Sequence, residues 1–264
     1  MLWSKDMDYL NPKIKTTLLG SVILYLAWTL ATYLLEGRIN LLQAPTITGR
    51  YLYVLAANVV IGTVIVLWFL SQRLTSRIWT AEQTGFQPFR RTLITIGIAL
   101  VLGFADLLLA RLNHLPLLVI LNGYAQVLPT SIAEILVCWV LIENSFESLL
   151  KPVNRWLALL AGIITATLFF SAYHLGHSAP FNQLPLMLIL LMPGVITSLF
   201  YLITREIYAT LLFHNFQGII GVIGNLKNQE LLNRPLYPLY LLMILSIAAL
   251  ILADIWLIRR KERK

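Results

Sequence analysis

The chain has 264 residues, of which 58% are apolar and only 12% charged, a balance that excludes an ordinary soluble domain. Its net charge of +8 comes from basic residues beside the ends of apolar runs, which excludes a groove that tracks nucleic acid. A single cysteine, Cys138, excludes an intrachain disulfide.

A helix needs about 20 mostly apolar residues to cross a hydrocarbon core of roughly 30 Å. Eight such runs predict an all-α polytopic membrane helix bundle, a single integral domain over 1–264. The first, 16–35, is long enough to span and lacks the cleavage pattern of a removable signal, so it is expected to stay and set the topology. The second and third, 51–71 and 92–112, read as apolar packing with small residues, and the first three spans hold a single acid, Asp106. Between the second and third lies the longest polar connection, Ser71 to Arg91, about the size of one surface helix and a turn.

The fourth run, 125–142, carries Glu134 and Cys138; the latter reads as a buried, inert thiol. Ahead of it, Pro116 to Leu121 is broken off by Asn122-Gly123 and reads as a re-entrant or interfacial piece. The fifth run, 157–176, ends on Phe170 and His174. A sixth, 184–203, is apolar throughout, and the seventh, 206–224, holds His214, Asn215 and Gln217. The eighth, 237–257, leads to a basic tail that anchors the last helix or touches anionic lipid. Polar chemistry is thereby expected in the second half of the chain.

Alternating the connections between two sides with the N-terminus inside puts 15 Lys and Arg inside and 5 outside, the latter being Arg38, Arg50, Arg111, Lys227 and Arg234. The positive-inside rule then places both termini in the cytosol. Asp106 and Asp254 read as structural acids accompanied by Arg111 and Arg259, and His114 and His177 as loop residues.

Glu134, His174 and His214 are ionisable groups in three separate spans, each costly to hold in lipid, which marks them as candidate functional residues. A carboxylate takes a proton from water, a neighbouring imidazole orients that water or passes the proton to a leaving amine, and a second imidazole donates to an oxyanion. The same three side chains could instead ligate zinc and leave a fourth position open, with His177 in reserve. Cofactor-free hydrolysis is the reading adopted, with zinc as the alternative.

Phe170-Ser171-Ala172-Tyr173-His174 matches Phe-x-x-x-His, Ser131-Ile132-Ala133-Glu134-Ile135-Leu136 supplies an acid one span earlier, and His214 follows two spans later. In these residues the chain resembles the CAAX protease and bacteriocin-processing family of intramembrane endopeptidases. That family's pattern is Glu-Glu-x-x-x-Arg, then Phe-x-x-x-His, then His-x-x-x-Asn. The resemblance covers about 125–224, the expected catalytic core, with Tyr201 to Glu206 as the link before the last motif.

By that resemblance Glu134 and His174 activate the water and His214 helps form the oxyanion site, with Phe170, Gln217 and Asn215 auxiliary. The implied substrate is a membrane-associated protein or peptide, with membrane lipids as surroundings, and the expected location is a bacterial cytoplasmic membrane. This chain departs from the pattern at Ile135, which replaces the second acid, at Cys138 or Trp139 where the arginine belongs, and at Gly218 where the asparagine belongs. Gln217, three residues beyond His214, shares its helical face and stands nearest to that amide. Losing one oxyanion donor typically costs on the order of 100-fold in rate, so a catalytically impaired scaffold or binding subunit is the second reading. A small-solute transporter is the third, disfavoured by the lack of inverted repeats or matching broken helices.

Depth raises a conflict. At 1.5 Å per residue His174 lies roughly 28 Å from Arg155, while Glu134 and His214 lie about 12–14 Å from Glu143 and Glu206. The three meet only if Lys151 to Leu160 lies in the headgroup layer, the arrangement expected here, rather than His174 serving an outer-face site.

Overall fold

The computed structural model describes residues 12–112, 115–225 and 234–259. Eight helices among them are long and apolar enough to cross a membrane. They are α1 (Pro12–Gly37), α2 (Ile47–Thr75), α3 (Phe89–Leu109), α4 (Leu117–Leu150), α5 (Arg155–Gly176), α6 (Leu184–Thr204), α7 (Ile207–Gly224) and α8 (Tyr237–Arg259). No strand occurs among the described residues. His114 lies outside them, as do Lys227 and the tail beyond Arg259.

Burial shows how the helices are arranged. In α4, 83% of the most apolar window is buried, against 22% in α1 and 28% in α3 and α6. α4 is therefore the axis, packed by α2, α5, α7 and α8, with α1 against its C-terminal half and α3 laid on α7. Side chains from Ile135 to Ile142 are all buried, including Trp139 and the free thiol of Cys138. The peripheral helices turn large apolar side chains outward, such as Leu19, Ile23 and Leu26 on α1 and Leu188, Ile189 and Met192 on α6. Such a surface suits hydrocarbon rather than water.

The fourth helix corrects the sequence reading. Asn122-Gly123 does not break it, and the helix runs unbroken from Leu117 to Leu150. The polar residue finds partners instead: Asn122 Nδ2 donates to the Arg234 carbonyl at 3.1 Å, and Tyr240 donates to Asn122 Oδ1 at 2.6 Å. Gly123 leaves room for Ile219 and Ile223 of α7. A satisfied amide in a helix interface costs little, so nothing forces the chain out of helical conformation.

The far end of α4 extends past the expected boundary as well. Glu143, Asn144 and Ser145 read as the start of a loop but are buried in the helix. Asn144 Nδ2 donates to Tyr201 at 2.9 Å, and Arg205 donates to Asn144 Oδ1 at 2.7 Å and pairs with Glu147. Arg205 adopts a left-handed conformation (φ 46°), which turns the chain between α6 and α7 in two residues. The Ser71 to Arg91 connection forms no surface helix after Thr75; Trp79, Ala81, Thr84, Phe86 and Gln87 tuck inward, and Gln87 Nε2 donates to the Arg205 carbonyl at 2.6 Å.

These contacts resolve the depth conflict. The Arg205–Glu206 turn sits level with Asn144 and Glu147, and Gly162 of α5 abuts Glu143. Measured from that level, Glu134, His214 and His174 lie about 15, 14 and 18 Å along their helices. The hairpin joining α4 to α5 projects beyond this level.

Candidate active site

The three residues converge. Glu134 leaves α4 five residues beyond Pro129, which lies inside the helix and cannot donate to the Ala125 carbonyl. Asn215 Nδ2 reaches the Tyr124 carbonyl there at 3.4 Å, and Ser131 donates to Asn215 Oδ1 at 3.0 Å. Asn215 thus ties α7 to α4 and is fully buried between them.

His214 Nε2 is 3.0 Å from Glu134 Oε2. Its other nitrogen, Nδ1, is 2.9 Å from Thr197 Oγ1, and that hydroxyl donates to Gln217 Oε1 at 2.9 Å. Thr197 lies in α6, four residues after Pro193, so α6 supports the imidazole from behind. His174 approaches the second carboxylate oxygen, with Nε2 3.9 Å from Glu134 Oε1. His174 Nδ1 is 2.9 Å from the Phe170 carbonyl. A carbonyl only accepts, so Nδ1 bears the hydrogen, and Nε2 of the neutral ring presents a lone pair toward Glu134. Phe170 stacks edge-on against both imidazoles, at ring separations of 5.0 Å from His174 and 5.2 Å from His214.

All three side chains are more than nine-tenths buried and open onto a cavity of about 140 Å³ within the bundle. Its wall is otherwise mostly apolar, with Val54, Leu190, Pro193 and Leu242 among the lining residues. Gln217 lines it and Asn215 does not. Gly218 also lines it, and a Cβ built there would come within 2.6 Å of Val127 Cγ1. Trp139, standing where an arginine was looked for, turns inward, donates to Ser198 at 2.9 Å and packs 4.9 Å from the His214 ring.

The first half of the chain contributes more than the sequence reading allowed. Glu36 ends α1 one residue beyond the boundary drawn for the first span, is fully buried, and lines the same cavity. The first three spans therefore hold a second acid besides Asp106, and the polar chemistry is shared between the halves. Glu36 Oε2 is 3.1 Å from His177 Nδ1 and accepts from the Ser178 amide at 2.8 Å, while the Ser178 hydroxyl donates to Oε1. His177, expected as a loop residue, follows α5 directly and is 8% exposed.

Closeness of backbones makes this pairing possible. A Cβ on Gly37 would overlap the Gly176 carbonyl, so only glycine lets the end of α1 meet the turn after α5. Beneath the pair, Tyr173 bonds Thr32 at 3.1 Å and Tyr53 at 3.2 Å, and stacks on Trp28 at 3.7 Å. Trp28 donates to Asn58, which donates to Thr130. Four helices are thus joined by side-chain hydrogen bonds where lipid offers none. Of the two aspartates within the spans, Asp254 pairs with Arg259 at 3.0 Å, and Asp106 is half-buried on α3.

Among the described residues no group of three or more His, Cys, Asp or Glu is arranged to hold a metal ion. Compared with models of protein families, with curated proteins and with solved structures, the chain matches none.

Proposed function

We propose that this protein is an intramembrane endopeptidase that hydrolyses a peptide bond of a membrane-associated protein or peptide with water activated by Glu134 and His174. One observation carries the reading: a carboxylate oxygen and an imidazole lone pair, both acceptors, face each other across 3.9 Å at the wall of a buried cavity. A water 2.8 Å from each would subtend about 90°, close to its own bond angle, and would donate a hydrogen to both. Its remaining lone pairs are then free to attack a carbonyl carbon, which is how a positioned base promotes hydrolysis.

His214 holds the other carboxylate oxygen, which keeps Glu134 from rotating away. This differs from the oxyanion role suggested by the family resemblance, because Nε2 of His214 is engaged by Glu134. Gln217 takes a hydrogen from Thr197 on its Oε1, which leaves its NH₂ as the amide donor beside the cavity. The order of Glu134 on α4, Phe170 and His174 on α5 and His214 on α7 and the resemblance to the CAAX protease and bacteriocin-processing family support the same reading. The charge asymmetry of the connections supports cytosolic termini, and the family resemblance a bacterial cytoplasmic membrane.

The test is proteolysis by purified full-length protein in liposomes, against a panel of membrane-anchored reporter peptides, with Glu134→Gln as the control. The variant is expected to lose about 1000-fold in kcat while its thermal unfolding is retained. Full activity of the variant would sink the proposal. A second reading, an impaired relative acting as a scaffold or binding subunit, is favoured by one observation: Val127 fills the space beside Gly218 that an asparagine side chain would need. A scaffold would keep its partner through Glu134→Gln. Zinc enters if metal analysis finds it bound and chelation abolishes turnover.

A further inference from the structure

The cavity holds a second acid–imidazole pair that the hydrolytic assignment leaves unused. Glu36 accepts from the Ser178 amide and the Ser178 hydroxyl, lies 3.1 Å from His177 Nδ1 as an ion pair, and is fully buried. His177 thus sets its Nδ1 beside a carboxylate and keeps Nε2 as its other nitrogen, in a residue that lines the cavity. Its ring centre lies 5.2 Å from that of His174, and Tyr173 packs edge-on against it at 4.9 Å. Tyr53 and Phe181 complete the set of rings around it.

An amine leaves a tetrahedral intermediate only after its nitrogen gains a proton. Of the groups already assigned, His174 Nδ1–H is held by the Phe170 carbonyl and Glu134 Oε2 by His214, which leaves Glu134 Oε1, carrying the proton taken from water, as the rival acid. We propose that His177, backed by Glu36, delivers the proton to the departing amine. This rests on the endopeptidase reading and extends the machinery to α1 and to the turn after α5. In the step, the carbonyl–nitrogen bond breaks, its electron pair takes the proton from His177 Nε2, and the amine departs neutral. Scission leaves Glu134 holding the proton removed from water and His177 neutral, and passage of that proton from Glu134 to His177 after the products leave restores both groups. The carboxylate of Glu36 offsets the charge of the imidazolium before the transfer, as an acid behind a catalytic imidazole does elsewhere.

The experiment compares an amide with an ester, because an alkoxide or phenoxide leaves with far less need of an acid. Full-length protein in liposomes is given one membrane-anchored reporter peptide and its depsipeptide counterpart, in which an ester replaces the scissile amide. His177→Asn is expected to lose about 100-fold on the amide and less than about 3-fold on the ester. Glu36→Gln is expected to lose about 10-fold on the amide and nothing on the ester, and serves should His177→Asn fold poorly. Glu134→Gln loses both. Equal losses on amide and ester, or none on either, would make His177 and Glu36 structural and overturn the inference while the endopeptidase reading stands. A wild-type protein that cleaves neither compound would overturn both.

Discussion

Thr197 Oγ1 lies 2.9 Å from His214 Nδ1 and 2.9 Å from Gln217 Oε1, so one hydroxyl on α6 fixes the angle of two side chains on α7. Neither side chain needs Thr197 for burial; both need it for orientation. α6 thereby belongs to the site through more than the apolar wall that Leu190 and Pro193 supply.

Thr197→Val removes that hydroxyl at nearly constant volume. The expected result is a fall of about 10-fold or more in kcat with KM little changed, because positioning is lost and the cavity wall is not. Thr197→Ser restores most of the rate. Steady-state kinetics on a cleaved reporter decide it, and a loss confined to KM would contradict the assignment.

Tyr173→Phe leaves the Trp28 stack in place and deletes the hydroxyl that bonds Thr32 and Tyr53. A cost of about 1–2 kcal/mol is expected, since two buried hydroxyls lose a partner. Intrinsic tryptophan fluorescence during thermal unfolding in detergent reads it directly.

Arg205→Ala takes the guanidinium from Asn144 and Glu147 and loosens the turn that keeps α6 and α7 level with α4. About 2 kcal/mol of stability is expected to go, discounted because the ion pair is partly exposed. Proteolytic nicking between α6 and α7 should rise with it. Arg205→Lys restores charge without the two-pronged contact and is expected to recover only part.

Glu134, His174 and His214 were legible in the sequence because ionisable side chains inside apolar runs are expensive and therefore conspicuous. The eight spans were legible for the complementary reason. Glu36 was not, because it stands one residue past a run of apolar side chains and beside Gly37-Arg38, where an acid reads as the start of a solvated loop. Its burial depends on Ser178 and His177, which approach from 140 positions away, and no local pattern announces that. The length of α4 was hidden in the same way: Glu143, Asn144 and Glu147 look like loop residues until Arg205 and Tyr201 are placed beside them. Thr197 gave no signal, since a lone threonine in an apolar helix usually bonds its own backbone.

Gly218→Asn alone is expected to destabilise the protein without raising activity, because the new side chain meets Val127. With Val127→Gly in the same chain the asparagine gains its space, and turnover is expected to rise about 10-fold or more above that of Val127→Gly alone. Paired kinetics and unfolding of the single and double variants check this.

That contact couples two positions on different helices. What residue 218 of α7 can carry is decided by residue 127 of α4, so any larger side chain at 218 must be preceded by a smaller one at 127, and the first of the two changes by itself only opens a hole.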